Sequence, residues 1–196
     1  MAASKPLLDA MKDRRSIYAT SPENPPTTIA RVEEIVTHVI KHSPSPFNYQ
    51  FARSVILSGE AHKKFWSVVY DGVEKAVPAA AWEGHLQNFC KMFRDTTWGT
   101  VMWFEDGETA SFFAESWSDQ SSGMHQINAW MALEAEGFGA TLQHFHWVPD
   151  VTEYFQKELG LPASWKPKSQ LVFGTPVAPA GEKTFKPIEE KLKIFS

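Results

Sequence analysis

Pro44–Trp66 reads PSPFNYQFARSVILSGEAHKKFW, and three kinds of local structure follow one another within it. Pro44 and Pro46 forbid any helix from continuing through them and stiffen a loop. The apolar run Val55-Ile56-Leu57 inside RSVILSG has the length and branching of a buried strand, and Gly59 ends it. From Glu60 the period changes: Phe65, Trp66, Val69 and Val73 recur at helical spacing. A strand that runs directly into an amphipathic helix predicts layers, with helices packed on a sheet.

The same alternation extends to both sides. Upstream, PLLDAMKDR is a short helix by the spacing of Leu7, Leu8 and Met11, and ATSPENPPTT is a polar connector. From Thr28 a stripe of Ile29, Val32, Ile35, Val36, Val39 and Ile40 predicts a helix, and core packing is the ordinary use of such a stripe. Downstream, AWEGHLQNFCKMF reads as a helix with Trp82, Leu86, Phe89 and Phe93 on one face, and TVMWF as a strand. Ser116 and Asp119 have capping-box spacing ahead of the long helix QSSGMHQINAWMALEAEGFGA, which Gly137 and Gly139 end. TLQHF, VTEYFQKELGL and SQLVFGTPV follow as strand, helix and strand. The tail FKPIEEKLKIF is an extended arm or an edge strand. These elements leave α/β and α+β both open, in one domain over residues 1–196.

Composition narrows the function classes. The 196 residues carry a formal net charge of -4, which argues against a generic nucleic-acid binder. The single cysteine, Cys90, cannot form an internal disulfide and reads as a small hydrophobe on its helix face. No stretch reaches the ~18 apolar residues of a membrane span, and the first residues lack the apolar centre of a signal peptide, so the expected location is the cytoplasm. No P-loop occurs and no G-x-S-x-G elbow, and Gly137-Phe138-Gly139 is followed by Leu142 where a dinucleotide fingerprint needs a third glycine. His144 and His146 have strand-ligand spacing without a third ligand, so no metal is expected. His125, inside the long helix, reads as a satisfied, partly buried histidine. The 8 Trp and 14 Phe suit core filling, walls for a planar ligand, or an interface.

Four further features bear on binding. In MKDRRSIYAT, Arg14, Arg15 and Ser16 follow a helix; on their own they are helix-end charges, or a fork and a hydroxyl that hold a phosphate. In the proline loop, Asn48 and Gln50 offer donors and acceptors together, as the edge of a heterocycle requires. The EGFGA turn lets a ligand approach the backbone, and Lys183 adds a late cation.

Taken in this order, MKDRRSIYA, PSPFNYQFARSVILSGEAHKKFW, QSSGMHQINAWMALEAEGFGATLQH, and QLVFGTP with EKTF resemble the nitroreductase family. The nearest resemblance is to its short subfamily of fungal nitroreductases linked to fatty-acid regulation and related bacterial proteins. It covers about Leu8 to Phe195. It implies an α+β, three-layer α/β/α fold with a mixed, mostly antiparallel sheet, and a homodimer that exchanges its C-terminal arm and binds FMN at the interface. It also implies ping-pong hydride transfer from NADH or NADPH to a small nitroaromatic or quinone-like acceptor. By position, Arg14 and Ser16 match phosphate ligands with Arg15 beside them, and Lys183 adds to that site. Asn48 and Gln50 match loop residues that contact the flavin. Gly137, Gly139 and Leu142 lie where the partner subunit's turn approaches the ring. No catalytic side chain is implied, because hydride transfer at a flavin asks for none. Tyr49 and Phe51 in FNYQFAR, and HFHWVPDV in place of a tyrosine-asparagine-proline segment, depart from the subfamily near the expected pocket. Other readings of the same residues are a non-catalytic flavin-binding regulator and a stress-response scaffold that uses its aromatic surface.

Overall fold

Three long ladders and one of two residue pairs place the elements. The computed structural model describes residues 5–110 and 115–195. Its elements are α1 (Leu7–Asp13), β1 (Thr20–Ser21), α2 (Ile29–His42), β2 (Ala52–Ser58), α3 (Gly59–Ala76), α4 (Ala79–Ala81), α5 (Gln87–Thr96) and β3 (Gly99–Asp106), then α6 (Gly107–Ala110), α7 (Glu115–Ala135), β4 (Gly139–Gln143), α8 (Pro149–Glu153) and β5 (Trp165–Pro176). The sheet runs β2-β3-β5-β4, with β1 along the far end of β5. These ladders are antiparallel, and one parallel bridge joins Ser16 to Ala140.

The alternation along β3 sorts the helices into two layers. Met102 and Phe104 face a core built with Phe65, Trp66, Val69 and Val73 of α3, Cys90 and Phe93 of α5, and Val151 of α8. Val101 and Trp103 face the other core, with Val32, Ile35, Val36 and Val39 of α2 and Ala129 and Leu133 of α7. Period 2 in the strand meeting period 3.6 in the helices thus yields the expected α/β/α arrangement. α2 starts where Thr28 Oγ1 accepts a hydrogen bond from the Arg31 N–H at 3.3 Å, an N-cap that satisfies an otherwise orphan donor.

A buried polar chain crosses the first core. The Trp66 Nε1–H donates to Thr100 Oγ1 at 3.0 Å, and that hydroxyl lies 3.0 Å from His62 Nδ1. His62 Nε2 lies 2.9 Å from the Phe93 carbonyl. The carbonyl can only accept, so Nε2 carries the proton and Nδ1 accepts from Thr100. Every group is satisfied while the ring is neutral, and burial pushes the His62 pKa down to about 4.

Three local readings are corrected, and the two readings of the tail are narrowed to the arm. Ser116 is not an N-cap, because α7 already includes Glu115; residues 111–114 lie outside the described residues. A π-turn at Trp82–Leu86 inserts an extra residue before α5, so Cys90 and Phe93 turn inward while Phe89 is exposed. The polar connector contains the two-residue β1, held by its pairing with Thr175 and Pro176 rather than by apolar character. The tail makes one 3-10 turn, Ile188–Glu190, and is otherwise without helix or strand among the described residues.

Candidate functional site

The C-terminal end of α1 meets the C-terminal half of α7 and the start of β4. Arg14 is the residue that ends α1, and its guanidinium lies 4.5 Å from the centre of the Trp130 ring. The chain then turns alongside β4, where the Ile17 N–H donates to the Ala140 carbonyl at 3.0 Å. This places Ser16, exposed, beside Ala140. Arg15 donates from Nη2 to the Gly181 carbonyl at 2.8 Å, which pins the start of the C-terminal arm. The Lys183 ammonium stands 5.2 Å from the centre of the Phe185 ring.

The glycines of EGFGA are required by the backbone here. Gly137 has φ +95°, and at Gly139 a Cβ would lie 2.8 Å from Ile17 Cγ2. Their packing against Ile17 and Pro26 belongs to one chain, so this turn and Arg14–Ser16 form one group within a protomer. A cavity of about 460 Å³ is lined by Arg15, Trp130, Gly137 and Gly139, and a neighbouring groove of about 740 Å³ by Lys12, Arg15, Lys183 and Phe185.

Among the described residues no carboxylate pairs with Arg14, Arg15 or Lys183. The nearby acids are engaged elsewhere: Lys5 binds Glu134 at 2.8 Å and Asp13 at 2.9 Å. The hydrogen bonds to Glu134 and Asp13 raise the Lys5 pKa, and the one from Lys5 lowers that of Asp13. The result is three cations without carboxylate partners among the described residues, Arg15 and Lys183 along one groove and Arg14 over Trp130. This suits a dianionic phosphate, and Trp130 suits the apolar edge of an attached group.

Asn48 and Gln50 lie elsewhere. Their loop packs on the N-terminal half of α7, where Ser121 Oγ donates to the Pro44 carbonyl at 2.9 Å and the Phe47 and Trp117 ring centres are 6.5 Å apart. From Ser121 to Trp130 is nine residues, about 13 Å along the helix. One chain therefore holds the two predicted groups at opposite ends of α7, with exposed Met124 and Ile127 between them. The loop is strained: Phe47, Asn48 and Gln50 have φ of 49°, 59° and 52°. Non-glycine residues cluster in that region where function holds them there. Ser45 Oγ accepts from the Gln50 N–H at 2.9 Å, and Arg53 Nη1 donates to the Gln50 carbonyl at 2.8 Å. Arg53 is in turn tied to Asp106 at 2.8 Å. Burial would raise the Asp106 pKa, but hydrogen bonds from Ser164 and the Glu108 N–H, with the Arg53 charge, bring it below the usual value.

Leu142 joins neither group. It pairs with Leu171 in the sheet and packs on the second core. Trp130 and the Lys5–Glu134 pair escaped the sequence reading, since α7 carries both Trp117 and Trp130 and nothing local singles out the second. His144 and His146 have ring centres 6.1 Å apart, and among the described residues no three His, Cys, Asp or Glu side chains gather as a metal site would require. His125 is buried, with Nδ1 2.8 Å from the Ser121 carbonyl, as a satisfied histidine would be.

Comparison with known proteins shows the family and the fold. A family model described as the nitroreductase family matches residues 11–175. HBN1 of Saccharomyces cerevisiae is 39% identical over 209 aligned positions, covering 100% of both chains. The structure of the nitroreductase CinD from Lactococcus lactis in complex with chloramphenicol superimposes with TM-score 0.83 at 34% identity, covering 97% of this chain and 100% of that one. A Desulfovibrio desulfuricans structure in complex with FMN, at 18% identity and TM-score 0.70 over 98% of this chain and 99% of that one, shares the fold.

Proposed function

The chain belongs to the nitroreductase family of flavin oxidoreductases, and on that footing we propose that it is a homodimer that uses FMN to pass hydride from NADH or NADPH to nitroaromatic or quinone-like acceptors. The observation that carries this reading is Arg15 beside the Gly137–Gly139 turn in one cavity and beside Lys183 in the next, with Arg14 over Trp130 and none of the three paired with a carboxylate among the described residues. When bound, the flavin would take two electrons and a proton as hydride from the nicotinamide and deliver them to the acceptor by turns.

The chain's own part is placement. Arg14 and Lys183 would neutralise the phosphate, and Ser16 would donate a hydroxyl hydrogen bond to it. Trp130 holds the Arg14 guanidinium over its ring, so little freedom is lost when the phosphate arrives. Asn48 and Gln50 would meet the polar edge of the ring from the partner subunit. Their separation from Arg14 by about 13 Å of helix supports that sharing, since an antiparallel pairing of two α7 helices brings opposite ends together. The apolar exposure of Trp117, Met124 and Ile127 along α7 supplies a surface for it. β2 is the sheet edge, beside a groove lined by Ile40, Ser54 and Ile56. The arm after Gly181 carries the exposed Phe185, Ile188, Leu192, Ile194 and Phe195. An edge strand and an unpacked apolar arm on one chain fit an exchange between two.

The first test is a spectrum: purified protein is expected to be yellow, and NADH or NADPH to bleach it without oxygen. A protein that cannot be loaded with FMN would refute the reading, and bound flavin without NAD(P)H oxidation would favour a non-catalytic flavin carrier. For the site, Arg14→Ala is expected to weaken FMN by about 1.5–3 kcal/mol, roughly 10- to 150-fold, through loss of one charge-assisted contact. Fluorescence titration of the apoprotein measures it, and unchanged affinity would make Arg14 a helix-end charge only.

A further inference from the structure

A cavity of about 710 Å³ opens beside the N-terminal half of α7, between that helix, the end of β3 and the start of β5. Its described lining has no Phe, Tyr, Trp or branched aliphatic side chain; the imidazoles of His144 and His146 are its rings, and Glu105, Glu115 and Asp119 its carboxylates. Glu105 is only 6% exposed. Its Oε1 binds Lys168 Nζ at 3.0 Å, and Lys168 also binds Asp119 at 2.9 Å. Burial opposes the charge on Lys168, but the hydrogen bonds to Asp119 and Glu105 outweigh it and raise the pKa. Lys168 reaches them because it is the extra residue of a bulge in β5, between Pro167 and Ser169.

The other carboxylate oxygen, Glu105 Oε2, is buried with no partner among the described residues, as is His146 Nδ1. A buried acceptor left unsatisfied is destabilising, and a ligand's donor would relieve it. Gln126 Nε2 donates to Ser122 Oγ at 2.8 Å, so the Ser122 hydroxyl hydrogen and Gln126 Oε1 stay available. Lys166 stands exposed in the lining. Alternating acceptors and donors with a cation nearby match the hydroxyls and phosphates of a nucleotide sugar.

The cavity's position adds to this. Glu105 pairs with Ala52 in the β2–β3 ladder, and Ala52 is two residues from Gln50, so the cavity and the ring-facing loop share one end of the sheet. We infer that this cavity holds the ribose–pyrophosphate part of the hydride donor, with Glu105 Oε2 accepting from a ribose hydroxyl and Lys166 meeting the pyrophosphate. The inference rests on the proposed function, which supplies a pyridine dinucleotide as substrate. It also selects NADH: a carboxylate accepts from a free 2′-hydroxyl and repels a 2′-phosphate.

The test uses FMN-loaded protein and ADP-ribose, which lacks the nicotinamide, titrated by calorimetry. ADP-ribose is expected to bind, to compete with NADH in the rapid-mixing reduction of the flavin, and to bind at least tenfold more tightly than its 2′-phosphorylated form. Glu105→Gln and, separately, the surface change Lys166→Ala are expected to weaken it at least fivefold at unchanged flavin content, Lys166→Ala also at unchanged melting temperature. Flavin bleached by NADH in a protein that does not bind ADP-ribose, or binds it equally well after both changes, overturns the inference and leaves the proposed function standing. ADP-ribose binding that depends on Glu105 in a protein NADH cannot reduce does the opposite.

Discussion

Deleting residues 182–196 is expected to leave a folded monomer that binds FMN at least 100-fold more weakly than the full chain. The deletion keeps Gly181, to which Arg15 is bonded, and both hydrophobic cores, neither of which includes a residue beyond Phe173. Folding is therefore expected to survive. What is lost is Lys183, a charge-assisted phosphate contact of about 1.5–3 kcal/mol, and with it the apolar arm that on the proposed arrangement holds two chains together. A monomer also loses the partner's ring-facing loop, so the two deficits multiply. Light scattering on the eluting protein gives the mass, and flavin titration the affinity. A truncated protein that stays dimeric with full flavin affinity would mean that the arm neither crosses nor contributes its lysine.

Acid is expected to destabilise the protein through His62, in a decline that begins near pH 6.5, above the ordinary carboxylate range, and continues to about pH 4. The native ring binds its proton with a pKa of about 4, whereas the unfolded ring has the ordinary value near 6.5. As pH falls through that window the unfolded state takes up a proton that the native state refuses, so stability declines with falling pH. The whole contribution is about 3 kcal/mol, from one pKa unit being about 1.4 kcal/mol, and it is fully lost below pH 4. Burial lowers the pKa of His125 as well, which adds a decline of the same sign. Urea unfolding at pH 7 and pH 4.5, in the native protein and in His62→Gln, isolates the His62 share. An equal loss in both proteins would show that this histidine does not drive it.

Much of the architecture was legible because its signals are local. RSVILSG and TVMWF are apolar runs with sharp ends, and the α2 and α3 stripes need nothing beyond helical periodicity. The π-turn before α5 was not, since the extra residue follows from how Trp82 and Phe93 seat in the core and not from a motif. β1 exists only because β5 extends past Phe173 to receive it. At the candidate site, motif order nominated Arg14, Arg15, Ser16, Lys183 and the glycines, and the fold brings these to one end of α7. Motif order contains no distances, however, so it could not reveal that Asn48 and Gln50 lie at the other end, or that Leu142 turns to the core. Trp130, Lys5 and Glu134 become partners only through the docking of α1 on α7, a contact between segments more than a hundred residues apart.

The placement of the two residue groups at opposite ends of α7 has a genetic consequence. If each flavin takes Arg14 from one chain and Asn48 from the other, two damaged alleles can repair each other. In a mixed dimer of an Arg14→Ala chain with an Asn48→Ala chain, one site collects both lesions and the second collects neither. Co-expression of the two variants is therefore expected to yield hybrid dimers with about half the flavin of the native protein, where each variant alone holds little. A hybrid as poor as its parents would place both residues around the same flavin in one chain.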